Sequence, residues 1–169
     1  MYKAMMDLTM DLLDRLLGHD AWTTRLLLER CRELTDEQLD QRFDIGHRSV
    51  RATMGHVIRN MEVWADLMNG EAVRVEEAQD VEGMRARLDR AAADLARAAR
   101  VVAGRNGWDE RFVDTLDDPV SEHSYGGGIA HVITHGMHHR AQLLYMMRKL
   151  GLENLPEGDV LSWEQRKPP

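Results

Sequence analysis

The stretch "AHVITHGMHHRAQLLYMMRKLG", residues 130–151, holds His131, His135, His138 and His139, half of the chain's eight histidines. Neutral imidazole is a ligand for zinc, nickel, copper or iron, so the first chemistry these residues suggest is metal binding. On a helix each residue advances about 100°. With Ile129 set at zero, the apolar side chains Val132, Ile133, Leu143, Leu144, Met147 and Leu150 centre near zero. His135 and His139 fall at about 240° and about 280°, one turn apart on the shoulder of that stripe. His131 and His138 fall at about 200° and about 180° and face outward. A His-x-x-x-His pair on one helical face can share an ion, because i and i+4 side chains are neighbours. By itself such a pair is modest evidence.

A third ligand is available in "RATMGHVIRNMEVWADLM". The core stripe of that segment is Val50, Met54, Val57, Met61, Trp64 and Met68. His56 lies off it, on a second line with Thr53, Asn60, Val63 and Leu67. A helix with two inward faces, one partly polar, is what a pocket between helices requires. His56, His135 and His139 therefore form the candidate three-histidine metal site. Other metal chemistries lack their residues. No glutamate has a histidine three positions later, as di-iron carboxylate bundles need. The zinc-protease pattern His-Glu-x-x-His is absent, and Cys31 is the only cysteine.

Three histidines leave a divalent cation its full charge and an open position. That permits activation of a thiol for attack on an electrophile, or of water for hydrolysis. No carboxylate occurs in the His-rich helix and Glu62 points away from His56, so thiol transfer is favoured over hydrolysis. Asp20 sits within an apolar stripe between Leu16, Thr23 and Leu27, and Arg140 falls near the centre of the last helix's core stripe. The two can pair as buried ions; alternatively Asp20 orients a ligating imidazole, or Arg140 snorkels to solvent. His131 is a further residue placed to act behind the ligands. The eleven methionines, Cys31, Trp22 and Trp64 read as packing residues. His19, His47 and His123 read as solvent-facing. Tyr125, Trp108 and Phe112 are candidates to line a pocket mouth.

The elements that must position these residues are four helical segments. They run over about Met5 to Leu34, with Gly18 able to bend or weaken the first, then Ser49 to Met68, Asp80 to Ala103 and Gly127 to Leu150. Ser49 is a plausible N-cap, and Gly104 and Gly151 act as stops. Strand signals are weak, and no sheet can be assembled around "RFVDTL". The expected fold is all-α: a four-helix bundle with a long loop before the last helix, one domain over 1–169. A net charge of -7 without a basic stripe disfavours nucleic acid. No apolar run approaches membrane-spanning length. Asp7, Asp11 and Asp14 interrupt any signal-peptide core, and with one cysteine the expected setting is cytoplasmic.

The segments "HVITHGMHHRAQLLYMMRKLG", "SVRATMGHVIRNMEVWADLMNG" and "GHDAWTTRLLLERCREL", with the tail "LPEGDVLSW", resemble the DinB-like proteins over nearly the whole chain. This resemblance implies a four-helix bundle binding one divalent metal, zinc or nickel foremost, often as a homodimer. The family's histidines fall on His56, His135 and His139. Residue 141, often glycine in relatives, is alanine here. Some relatives are transferases or isomerases that use low-molecular-weight thiols, which implies a small-molecule substrate and a thiol cosubstrate. A metal-binding stress protein without catalysis and a metal-dependent hydrolase are the alternatives.

Overall fold

The computed structural model describes residues 10–75, 79–156 and 158–166. The expected start of the first helix, residues 5–9, lies outside them. The chain is mostly helical: α1 (Leu12–Cys31), α2 (Asp36–Leu39), α3 (Val50–Asn69), α4 (Val81–Gly104), β1 (Arg111–Asp114), β2 (Ser121–Ser124), α5 (Tyr125–Lys149) and α6 (Val160–Glu164). Polar side chains start the helices, Ser49 at its expected place, while α1 begins at Leu12 and not near Met5, and ends at Cys31 and not at Leu34. Asp11 and Asp14 form a capping box on α1, and Ser49, Asp80 and Ser124 cap α3, α4 and α5. Each satisfies an N–H that the first helical turn leaves without a partner. Gly70 ends α3 at φ 68°, a left-handed conformation that glycine adopts without a steric penalty.

Helix α1 packs against α4 and α5, and α3 packs against the same two helices. The core between them is built from Leu27 and Leu28 of α1, Met54, Ile58 and Met61 of α3, Met84 and Leu88 of α4, and Leu143, Met146 and Met147 of α5. The many methionines are packing residues, as their stripe positions predict; an unbranched thioether fills irregular gaps between helices. No described helix is long and apolar enough to cross a membrane.

Several expectations need correction. Arg111–Asp114 pairs antiparallel with Ser121–Ser124, Phe112 opposite His123, so the connection before α5 carries a small hairpin. Four-residue strands are too short for periodicity to reveal, and burial of Phe112 against α5 supplies what propensity does not. Gly18 does not break α1. A Cβ there would lie 2.6 Å from the Trp163 ring, so the glycine admits the tail helix α6 onto α1. Trp163 is the fully buried tryptophan, whereas Trp22 and Trp64 are only partly covered. His19 is buried, with Nε2 2.7 Å from the Gly158 carbonyl, and so helps fix the tail.

Helix α5 is also turned relative to its apolar pattern. Its buried residues are Gly128, Ile129, Val132, Gly136, His139, Arg140, Leu143, Met146 and Met147. On the wheel used above their centre lies near 320°, a rotation of about 40° toward His135 and His139. The polar pair on the shoulder thus moves inward, while Ile133 and Leu144 line a groove between α1, α5 and α6.

Candidate metal centre

Helices α3 and α5 bring together the three histidines chosen from sequence. His56 Nε2 lies 2.8 Å from His135 Nε2, and His135 Nε2 lies 3.1 Å from His139 Nε2. Their positions follow from helix geometry. His135 and His139 are one turn apart on α5, and His56 projects from the second inward line of α3, a turn beyond the buried Thr53. His139 is buried, and His56 and His135 are half-buried.

The arrangement can be tested as a cation site by counting valences. Each imidazole nitrogen carries either one N–H or one in-plane lone pair. His135 Nε2 faces two other Nε2 atoms and can form a hydrogen bond with only one of them. A cation satisfies all three lone pairs at once. The 2.8 and 3.1 Å separations from His135 agree with this: nitrogen ligands about 2.0–2.1 Å from one zinc ion are about 2.8–3.4 Å from each other. The donor set thus fits a divalent transition metal.

Electrostatics keeps the imidazoles unprotonated. Burial, reinforced by His47, His139 and His135, pulls the pKa of His56 down to about 4. Burial, with His139, His131, His138 and His47 adding to it, takes His135 to about 4 as well. His139 is lowered chiefly by burial, against which its hydrogen bond to Gln142 acts. At neutral pH these imidazoles hold free lone pairs, the state that metal binding requires.

Gln142 is the residue that sequence reasoning missed. His139 Nδ1 donates to Gln142 Oε1 at 2.7 Å, which fixes the tautomer with Nε2 free; the Gln142 amide nitrogen then reaches His138 Nε2 at 2.8 Å. A glutamine three positions after a candidate ligand is the signal that was available. The outward-facing His138 is thereby tied to the site through an amide. His47 is solvent-facing, as read from the sequence, but its part in the site was not foreseen. Its ring stacks on His56 with centroids 3.8 Å apart, and it offers a ligand atom within 4.8 Å of those of His56 and His139.

The other candidates separate from the three nitrogens. Asp20 and Arg140 form a buried ion pair, in which Arg140 Nη1 donates to Asp20 and, at 3.2 Å, to Thr24 Oγ1. Burial pushes the Asp20 carboxyl upward, and the Arg140 cation opposes the shift. Gly136 leaves room for the pair: a Cβ there would sit 3.0 Å from Arg140 Nη1 and 3.1 Å from Asp20 Oδ1. Arg140 therefore does not snorkel, and no hydrogen bond joins Asp20 to an imidazole of the trio among the described residues. His131 stacks on His135 at 4.9 Å and also faces Trp64. Its pKa is lowered, by burial first and then by His123.

A cleft of about 500 Å³ adjoins His131. It is walled by Trp64, Asp114, Asp117 and His123 among others. Its polar groups largely satisfy each other: Ser121 Oγ donates to Asp117 at 2.6 Å and contacts His123 Nε2 at 3.0 Å, and Asp114 accepts the Leu116 N–H at 2.9 Å. His123 is half-buried there, with its side chain 41% exposed. Phe112 and Tyr125 line a different cleft, of about 370 Å³, beside the end of α3; Trp108 is not in its wall.

The sequence model of the DinB family matches residues 5–166, essentially the whole chain. The chain belongs to the DinB family. No curated protein matches it.

Proposed function

We propose that this DinB-family chain is a metal-dependent transferase, in which His56, His135 and His139 hold one divalent transition metal, zinc or nickel, and a low-molecular-weight thiol is transferred to a small electrophile. The observation that carries the reading is the convergence of three imidazole nitrogens at 2.8 and 3.1 Å across two helices. A bound divalent ion supplies a Lewis acid that lowers the pKa of a coordinating thiol.

The chain's own residues do the rest. Gln142 holds the His139 ring by its Nδ1–H and keeps Nε2 directed into the site. His131 stacks on His135 and Trp64 on His131, and both form the edge of the neighbouring cleft, where a small organic substrate can lie against aromatic surface. Hydrolysis is the weaker reading. The hydrogen-bond partners of the three histidines among the described residues are imidazoles and one amide, with no carboxylate to serve as a general base. A metal-binding stress protein without catalysis remains the contrasting class.

The reading includes one domain of four-helix-bundle type, a cytoplasmic setting and a homodimer. Leu12 and Met137, both exposed, line the groove between α1, α5 and α6 and give a second copy an apolar face. The test is elemental analysis of tag-free wild type and His56→Ala, followed by screening of thiols against electrophiles with the metal-loaded protein. One transition metal per chain, absent from the variant, is expected. A wild type without metal under replete conditions, or a variant that keeps it, removes the site; loaded protein inert toward every thiol favours the non-catalytic reading.

A further inference from the structure

Residues 40–48 carry the chain from α2 to α3 and fold into a tight turn, in which Phe43 N–H donates to the Arg48 carbonyl at 2.7 Å and Arg48 N–H to the Ile45 carbonyl at 3.0 Å. Two of its residues, Gly46 at φ 57° and Arg48 at φ 69°, are left-handed. For arginine that conformation costs energy, and such strain persists only where surrounding contacts impose it. The turn is hydrogen-bonded to α3 at one point and passes close to Gln142 of α5 at another. The His47 backbone N–H donates to Thr53 Oγ1 at 3.2 Å, one turn before His56 on α3. A Cβ on Gly46 would lie 2.6 Å from Gln142 Oε1, the atom that fixes His139.

Beside these two approaches the His47 ring is set face to face with His56, and its centroid lies 5.2 Å from that of His139. Its ligand atom is within 4.8 Å of those of both residues. This exceeds the spacing of two nitrogens on one ion by no more than about 2 Å. Burial does not account for the placement, because His47 is exposed. We infer that His47 is a fourth protein ligand, which the turn before α3 delivers to the ion held by His56, His135 and His139. The inference rests on the three-histidine reading above. It adds that the fourth coordination position is filled from a loop, by a ligand that no helix fixes and that a thiol can displace without moving α3 or α5.

The test uses the full chain loaded with cobalt(II), whose visible spectrum reports ligand number and type, together with zinc titrations of wild type, His47→Ala and His47→Cys. His47→Ala is expected to alter the cobalt spectrum and weaken zinc binding at least about tenfold, on the scale of altered metal environments. His47→Cys is expected to introduce a sulfur-to-cobalt charge-transfer band that wild type lacks, since Cys31 is buried with its thiol pushed up to about 12. An unchanged spectrum and affinity in His47→Ala, or no charge-transfer band in His47→Cys, overturns the fourth ligand and leaves the three-histidine site standing. A wild type that takes up neither metal overturns both. If His47→Ala does not fold, as judged by circular dichroism, the His47→Cys spectrum decides.

Discussion

Single side chains in this protein are tuned by what surrounds them more than by their own type. His56 and His135 are held near a pKa of about 4 instead of 6.5. The folded state therefore stays unprotonated while the unfolded chain takes up protons below about 6.5. The sign is that of a depressed base: stability of the metal-free protein is fully present above about pH 6.5 and falls as pH drops toward about 4. Thermal melting of metal-free protein across that range should show this fall, with a shallower slope in His56→Ala. Equal slopes would mean that the cluster does not set the acid limb. Gln142 acts on a neighbouring atom. Gln142→Ala frees the His139 ring to rotate and take the other tautomer, and should lower zinc affinity by about 10–100-fold. Titration against a competing chelator measures this; an unaltered affinity would reduce Gln142 to a surface contact.

At the scale of elements, α1 and α5 meet through a charged contact, while α3 and α5 meet through the histidines. Asp20 and Arg140 are both buried, and the pair has Gly136 beside it and Thr24 as a further partner. Removing one charge strands the other away from water. Asp20→Asn is therefore expected to cost about 3 kcal/mol of stability, measured by denaturant unfolding, with zinc affinity unchanged. A large change in affinity with little loss of stability would restore Asp20 as a residue that tunes the metal. The rotation of α5 belongs to this scale as well. Packing against both α1 and α3 favours the face that contains Arg140 and His139 over the most apolar one. The price is a set of aliphatic side chains left in the α1–α5–α6 groove, one wall of which is Val160 and Glu164 of α6.

For the molecule as a whole, the proposed ion on His56 of α3 and His135 and His139 of α5 would tie two helices that are far apart in sequence. Such an ion binds the folded chain far better than the unfolded one, and free metal at 100 times Kd should add about 2.7 kcal/mol of stability. Melting with and without zinc should show a higher transition for wild type and almost none of that gain for His56→Ala. An equal gain in both would place the bound metal elsewhere. The net charge of -7 does not suit a chain that tracks a phosphate backbone.

The sequence by itself determined the four long helices, the Ser49 cap and the pairing of His135 with His139, because each depends on local spacing: 3.6-residue periodicity, a serine at a first turn, i and i+4 on one face. His56, His135 and His139 were legible for that reason, and so was the choice of Asp20 and Arg140 as partners. The tertiary structure alone decided what depends on contacts between distant segments. It placed His47 from a loop beside His56, brought Trp163 onto Gly18, paired β1 with β2 and rotated α5 by about 40°. Gln142 lies between the two cases. Its spacing from His139 was visible, but only the buried geometry shows which nitrogen it holds. No local pattern encodes such placements, because they minimise the free energy of packing summed over the whole chain.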